Sequence, residues 1–237
     1  MTITLIKPVE FKGQTIRSID LNTDITGHAE KVLLAREPNR AKIMNKFLAM
    51  QIALTDPNIE GLNEVEKYSL VKRMCSVDIK RALYALYKDF RDNKMYIDIQ
   101  YTTKEGISKS FSGDVELPNL NSTSFSTEPI EFSLSKPLKM FEGEYSDFIL
   151  YPMTGHFSEL INQEENLANI NTLFISELIK TKCGKTIPFD IAEGLSLKVR
   201  NEFRKALDKI SDFYPQVTVE DGVDTFDYPL DILDFFT

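Results

Sequence analysis

Ile6–Phe11 (IKPVEF) has a counterpart later in the chain, Ser135–Met140 (SKPLKM), and this pair of stretches is the best guide to the fold. Thr26-Gly27-His28 is likewise matched by Thr154-Gly155-His156, and the spacing from the first landmark is similar in both places. Landmarks that recur in the same order predict an internally duplicated chain in which each copy is one structural unit.

The periodicity of the apolar residues predicts the same succession of elements in both copies. Alternation over Thr2–Ile6 and Thr15–Leu21 predicts an N-terminal hairpin, and alternation over Met95–Thr102 and Ile107–Leu117 predicts a C-terminal hairpin. Helical spacing occupies the region between them. We therefore expect an α+β fold of two tandem related repeats, each with an N-terminal β-hairpin, two to three helices and a C-terminal β-hairpin.

Several helix boundaries can be predicted from capping residues and helix breakers. Thr26 is expected to cap the first helix, and Ser76 is expected to cap the helix that carries the apolar stripe from Ile79 to Phe90. In the second copy, the helix that begins near Leu167 is expected to continue to Cys183-Gly184, where glycine ends it.

A polar stretch divides the chain between the two predicted repeats. Pro118–Thr127 is rich in Asn, Ser and Thr and has no apolar periodicity. The sequence therefore predicts repeat one over residues 1–117, a polar linker over residues 118–128, and repeat two over residues 129–237.

Composition excludes some function classes. The 237-residue chain is 42% hydrophobic and carries a formal net charge of −8, so it is a poor default binder of nucleic acid. The N-terminus has no signal-peptide pattern, and no apolar run approaches the ~20 residues that span a bilayer. We expect no membrane partner and a cytoplasmic location where the protein is made.

Motifs that would carry catalysis are missing from the sequence. His28 and His156 are the only histidines, and a zinc site needs three or four ligands. We interpret them as part of a Thr-Gly-His pattern that opens the first helix of each copy. Cys183–Thr186 imitates the end of a phosphate-binding loop but lacks its upstream glycine. We predict no catalytic residues, no metal, no cofactor and no small-molecule substrate.

The C-terminal hairpin combines acidic and aromatic residues. Such a hairpin is either a partner-binding edge or an edge whose acidic face discourages unwanted strand pairing. The partner-binding interpretation selects the following residues: Asp224, Asp227, Asp231, Leu233, Asp234, Phe235 and Phe236.

The opening Ile3–Ile16, followed by Ile19-Asp20-Leu21, resembles small tail assembly proteins of contractile-tailed bacteriophages. The chain as a whole is similar to the baseplate hub or baseplate assembly proteins of these phages, with Ile97–Leu117 and Val217–Phe236 matching the β-ribbons of that family. Family ribbons often carry CxxC pairs of the zinc-ribbon type. This chain has other residues at those places, so we expect tight turns without zinc.

The resemblance implies a non-enzymatic structural or assembly protein of the tail baseplate, present in the host cytoplasm during assembly and then in the virion. Its partners would be other tail or baseplate proteins, with the tape measure protein as one candidate. An alternative is a tail assembly chaperone that holds the tape measure or hub components and is absent from the mature virion. A third hypothesis, an enzyme, requires a pocket that brings His28 and His156 together with nearby acids.

Overall fold

A computed structural model describes residues 1–53, 61–103, 105–118, 127–140, 143–210, 215–222 and 224–230. These residues confirm the predicted α+β class, because short antiparallel sheets flank the helices. The predicted linker lies outside the described residues except near its ends. Within the described residues, no helix combines the length and the apolar character that crossing a membrane requires.

In the N-terminal half, the described residues between 1 and 118 form nine elements. In chain order they are β1 (Thr2–Phe11), β2 (Gln14–Leu21), α1 (Gly27–Leu33), α2 (Arg40–Gln51), β3 (Ile52–Ala53), α3 (Glu64–Arg73), α4 (Ser76–Phe90), β4 (Lys94–Thr102) and β5 (Ser108–Glu116). Strands β1, β2 and β3 form one antiparallel sheet, and β4 pairs with β5 in a two-stranded ribbon.

The C-terminal half, residues 127–230, has the same order of elements. They are β6 (Ile130–Met140), β7 (Gly143–Leu150), α5 (Gly155–Gln163), α6 (Leu167–Leu178), β8 (Ile179–Thr181), α7 (Phe189–Glu193), α8 (Leu197–Leu207), β9 (Gln216–Asp221) and β10 (Asp224–Pro229). The sheet order β6-β7-β8 and the ribbon β9-β10 match the first half. Descent of the halves from one duplicated unit stays a prediction.

Two of the predicted helix boundaries need correction. Ser76 is not a cap: the N-cap of α4 is Cys75, which makes no side-chain capping bond, and the Ser76 amide donates to the Met153 carbonyl at 2.9 Å. The helix from Leu167 ends at Leu178 and does not reach Cys183, because the next residues pair with β7 as strand β8. Tertiary pairing therefore overrides the local pattern in both places.

The buried apolar side chains form two clusters of unequal size. The larger cluster contains the N-terminal sheet and helices, with Phe47, Leu70 and Leu83 fully buried. The smaller cluster joins β6–β8 to α5–α8 and includes Phe148, Phe157 and Phe203. The C-terminal ribbon does not belong to the smaller cluster: the core residues that it supplies pack with the N-terminal half, and they are Val217, Val219 and Leu230.

The matched IKPVEF and SKPLKM stretches correspond to irregular places in β1 and β6. The pairing register of β1 shifts between Thr4 and Val9, where strand amides lack their usual partners. The fully buried Asp78 of α4 accepts hydrogen bonds from the amides of Ile6 and Lys7, at 2.8 and 3.0 Å, and Arg81 bonds to the same carboxylate. Asp78 therefore fixes the sheet onto α4.

In the C-terminal half, a more exposed acidic residue accepts hydrogen bonds at the corresponding irregular strand. Glu202 of α8 accepts bonds from the amide and hydroxyl of Ser135 at 2.7 and 2.6 Å, beside the register shift in β6. These hydrogen bonds hold the pKa of Glu202 below its ordinary value. Both halves thus use an acidic helix residue to satisfy amides at the irregular strand.

We predict that Asp78→Ala lowers the free energy of unfolding by about 3 kcal/mol, because it removes the fully buried carboxylate that two partly buried strand amides and Arg81 share. Urea denaturation followed by circular dichroism measures the change. Glu202→Ala is the matched control and should have a smaller effect, since water reaches Ser135. Equal effects of the two substitutions would contradict this account of Asp78.

Candidate protein-binding site

The two ribbons pack against each other through alternating side chains. In β4 and β5, the inward positions include Ile97 and Val115, which are buried, while the residues between them are exposed. In β9, Val217 and Val219 are buried in the same alternating manner. Because strand side chains alternate between faces, each ribbon has one apolar inner face and one polar outer face.

The turn ends of the two ribbons are joined by a group of residues that we call the clasp: Tyr101, Lys109, Asp221, Asp224 and Phe226. The Tyr101 ring stacks on Phe226 with centroids 4.3 Å apart, and its hydroxyl donates to Asp221 at 2.7 Å. Lys109, which faces Tyr101 across the β4–β5 pair, forms an ion pair with Asp224. The clasp therefore ties the ribbon of one half to the ribbon of the other.

Electrostatics in the clasp favour protonated Tyr101 and Lys109. Desolvation, followed by the hydrogen bond to Asp221, raises the pKa of Tyr101 above its ordinary value. The hydrogen bond to Asp224 raises the pKa of Lys109. Both groups thus keep the protons that they donate to the carboxylates until the solution is strongly alkaline.

Of the predicted partner-binding residues, the structure describes Asp224 and Asp227, and it places them in different surroundings. Asp224 is occupied within the chain by Lys109 and Tyr101. Asp227 lies on the outer face of β10, where it accepts a hydrogen bond from Thr218 at 2.9 Å and is exposed. The other predicted residues lie outside the described part of the chain, and they are Asp231, Leu233, Asp234, Phe235 and Phe236.

The outer faces of the ribbons are mainly acidic and hydroxylated. Three exposed serines alternate along β5, and Tyr96 on β4 is 62% exposed. Among the described residues of these outer strand faces, Lys94 is the one cation. The exposed acids on the same faces are Asp98, Asp114, Glu116, Glu220 and Asp227. A partner segment with basic residues is therefore the best electrostatic match for this surface.

The orientation of the ribbons depends on a joint formed by α5, which has two different faces. Phe157, the third residue of the helix, makes an edge-to-face contact with Phe174 within the C-terminal cluster, with 4.9 Å between ring centroids. Gly155 and Glu159, which lie one turn apart on the opposite side, face the N-terminal half. A single helix is thus part of the packing of both halves.

The carboxylate of Glu159 is 6% exposed and lies among donors from the N-terminal half. Tyr68 and Asn45 each donate to it at 2.8 Å, and the Lys72 ammonium lies 3.7 Å away. Asn39 donates to the backbone carbonyl of the same residue at 2.8 Å. The pKa of Tyr68 is raised, by burial and then by Glu159, so the hydroxyl remains a donor. A buried carboxylate needs such partners, and these fix α5 in place.

Gly155 brings the chain close to α3 and α4. Its amide donates to the Met74 carbonyl at 3.0 Å, and Asn45 donates to its carbonyl at 3.0 Å. A Cβ at this position would lie 2.7 Å from both the Val71 carbonyl oxygen and the Ile79 Cδ1. Only glycine allows this approach.

The Thr-Gly-His pattern opens the first helix of each half, as predicted. Thr26 caps α1 by accepting from the Ala29 amide, and Thr154 caps α5 by accepting from the Phe157 amide. His28 and His156 are exposed at the second residue of their helices. Among the described residues, no group of three or more His, Cys, Asp or Glu is arranged to hold a metal ion.

Sequence reasoning missed the clasp and the joint. The alternation that predicted β4 places Tyr101 on the same face as Ile97, so the sequence alone could have indicated that Tyr101 lies on the inner face. Glu159 had none beyond its spacing of four from Gly155. Comparison with known proteins adds no relative: no family model, no curated protein and no solved structure matches the chain.

We predict that Gly155→Ala lowers the free energy of unfolding by about 1–3 kcal/mol, because the new methyl group collides with backbone at Val71. Chemical denaturation in dilute solution gives the value. Gly27→Ala is the matched control: a Cβ there meets nothing within 4 Å, and alanine favours helix, so stability should be unchanged or slightly higher. Similar losses for both variants would refute the close approach at Gly155.

The raised pKa of Tyr101 predicts that the stability of the fold depends on pH. A raised folded-state pKa gives stability that is complete below the ordinary tyrosine value of about 10 and falls as pH rises toward the folded value. Between pH 9 and 11, the wild type should therefore lose more stability than Tyr101→Phe, which keeps the stack on Phe226. Urea denaturation at each pH gives the two slopes. Identical slopes would show that the hydroxyl does not couple the ribbons.

Proposed function

We propose that this protein is a non-enzymatic structural or assembly protein of a contractile phage tail, acting at the baseplate hub through protein–protein contacts. The observation that supports a docking role best is the joined pair of ribbons, whose polar outer faces point away from the core. The resemblance of these ribbons to those of baseplate hub proteins supports the choice of partner class.

The ribbons offer two means of binding a neighbouring protein. Within the described residues, each ribbon contains only two strands, so each strand has an edge with unpaired backbone groups. Such edges bind extended segments by strand addition. The acidic outer faces would favour a segment that carries Lys or Arg. In this proposal, the partner is a basic strand-forming segment of another tail or baseplate protein.

The position of the ribbons supports a role as a rigid docking module. The clasp joins them at their ends, and Val217, Val219 and Leu230 anchor the C-terminal ribbon in the N-terminal core. A preformed surface loses little conformational entropy when a partner binds. The protein would be made in the host cytoplasm and would then remain in the virion at the baseplate.

Peptide mass spectrometry on purified particles, compared with the crude lysate, tests this proposal. Peptides in both samples, at a small fixed ratio to tail proteins, are expected for a baseplate component. Peptides in the lysate alone would instead support an assembly chaperone that leaves before maturation. Failure to associate with any tail protein in either sample would contradict both forms of the proposal.

A charge-reversal pair tests the ribbon surface itself. We predict that Glu220→Lys combined with Asp227→Lys reduces incorporation into particles at least tenfold, because both side chains lie on the outer face of the C-terminal ribbon. The control is Asp208→Lys, which reverses an exposed acid at the end of α8. Equal incorporation of all three proteins would show that docking does not use this face.

A further inference from the structure

Helix α1 is the counterpart of α5 in the N-terminal half, and each face of α1 can be compared with the matching face of α5. In α5, Phe157 packs in its own half, whereas Gly155 and Glu159 dock on the other half. In α1, Ala29 and Leu33 are buried in the core of the N-terminal half. The remaining face of α1 contains Gly27, Lys31 and Leu34, which follow one another at spacings of four and three and therefore share one side. This side is the counterpart of the docked face of α5.

In α1, this face is uncovered. Gly27 and Lys31 are exposed, and Leu34 is 70% exposed. The backbone of Gly27 does not have the positive φ that favours glycine, and a Cβ there would meet nothing. Within the described residues, nothing therefore requires glycine at this position, although the matched Gly155 is required by a close contact.

The surface that receives α5 also has an uncovered counterpart. In the N-terminal half, α5 packs on α2, α3 and α4, and Ala41 and Ser76 in the first turns of α2 and α4 are buried. In the C-terminal half, α6 and α8 begin instead with Leu167 and Leu197, which are 75% and 66% exposed. Exposed leucines at the starts of two neighbouring helices suggest a surface that is covered in an assembly.

Arg200 of α8 connects this helix to α6 and α7. It lies one turn after Leu197 and donates to Thr172 of α6 at 3.3 Å. Thr172 in turn donates to the Ala168 carbonyl, next to Leu167. Arg200 also donates to the carbonyls of Ala192 and Glu193 at the end of α7. These bonds hold α6, α7 and α8 together, and the docking helix would lie across the exposed leucines at the starts of α6 and α8.

The charges on the two exposed faces are complementary. Glu159 of α5 docks beside Lys72 near the end of α3. The corresponding position of α1, four residues after its glycine, is Lys31, and the short helix α7 carries the exposed acids Asp190 and Glu193. Compared with the Glu159–Lys72 pair, the positive and negative charges have exchanged sides. The two faces still carry opposite charges and attract each other.

We propose that α1 of one copy docks on the α6–α8 surface of a second copy, so that copies associate head to tail. The donor face is Gly27, Lys31 and Leu34, and the acceptor face is Leu167, Leu197 and Glu193. Such a heterologous contact builds open chains or closes into a ring. This inference does not depend on the proposed function, because it rests on the repetition of an internal interface.

The test mixes two variants, each blocked on one face. Leu34→Glu blocks the donor face by placing a carboxylate against Asp190 and Glu193, and Leu167→Lys blocks the acceptor face by placing an ammonium against Lys31. Sedimentation velocity over a concentration series should show association of the wild type. Each variant alone should be monomeric, and an equal mixture should form a one-to-one dimer, since each supplies the face that the other lacks.

Val65→Glu is the control, because Val65 is 73% exposed on α3, and this variant should associate like the wild type. Circular dichroism checks that all three variants are folded. A wild type that stays monomeric at every concentration would overturn the proposal and leave the surface to a different partner. Single variants that still associate, or a mixture that does not form the dimer, would also overturn it.

Discussion

The buried carboxylate of Glu159 is the contact on which the arrangement of the two halves depends. It belongs to the C-terminal half, yet Tyr68, Asn45 and Lys72 of the N-terminal half surround it. Burying a charge is unfavourable unless partners compensate for lost hydration, so this carboxylate has one good position. Gly155, one turn earlier, allows the helix to come close enough for that position to be reached.

This joint explains why the two cores differ in size. One face of helix α5 packs in the C-terminal half and the opposite face packs on the N-terminal half. The C-terminal ribbon also packs against the N-terminal half. The N-terminal core therefore gains side chains from both halves, while the C-terminal core keeps fewer. At the second position of the two helices, Ala168 in α6 is exposed, whereas Ala41 in α2 is buried. The same asymmetry places the two ribbons side by side and allows the clasp to form.

Local patterns in the sequence were sufficient to predict the α+β class, the order of hairpins and helices, the cap at Thr26 and the Thr-Gly-His start of the first helix in each half. They succeeded because period-two alternation and capping act over a few neighbouring residues. They failed at β8 and at Cys75-Ser76, where pairing with a distant segment decides the conformation. The clasp and the joint were missed for a similar reason: Tyr101 meets Asp221, and Glu159 meets Tyr68, only after long-range packing.

Native-state hydrogen exchange with mass spectrometry in increasing denaturant tests most directly whether α5 belongs to the N-terminal core. The joint requires α5, residues 155–163, to lose protection together with α2, residues 40–51, and at the same free energy of opening. Earlier exchange of α5 together with α6, while α2 stays protected, would show that the C-terminal half opens by itself. In that case Glu159 would not hold the two halves together.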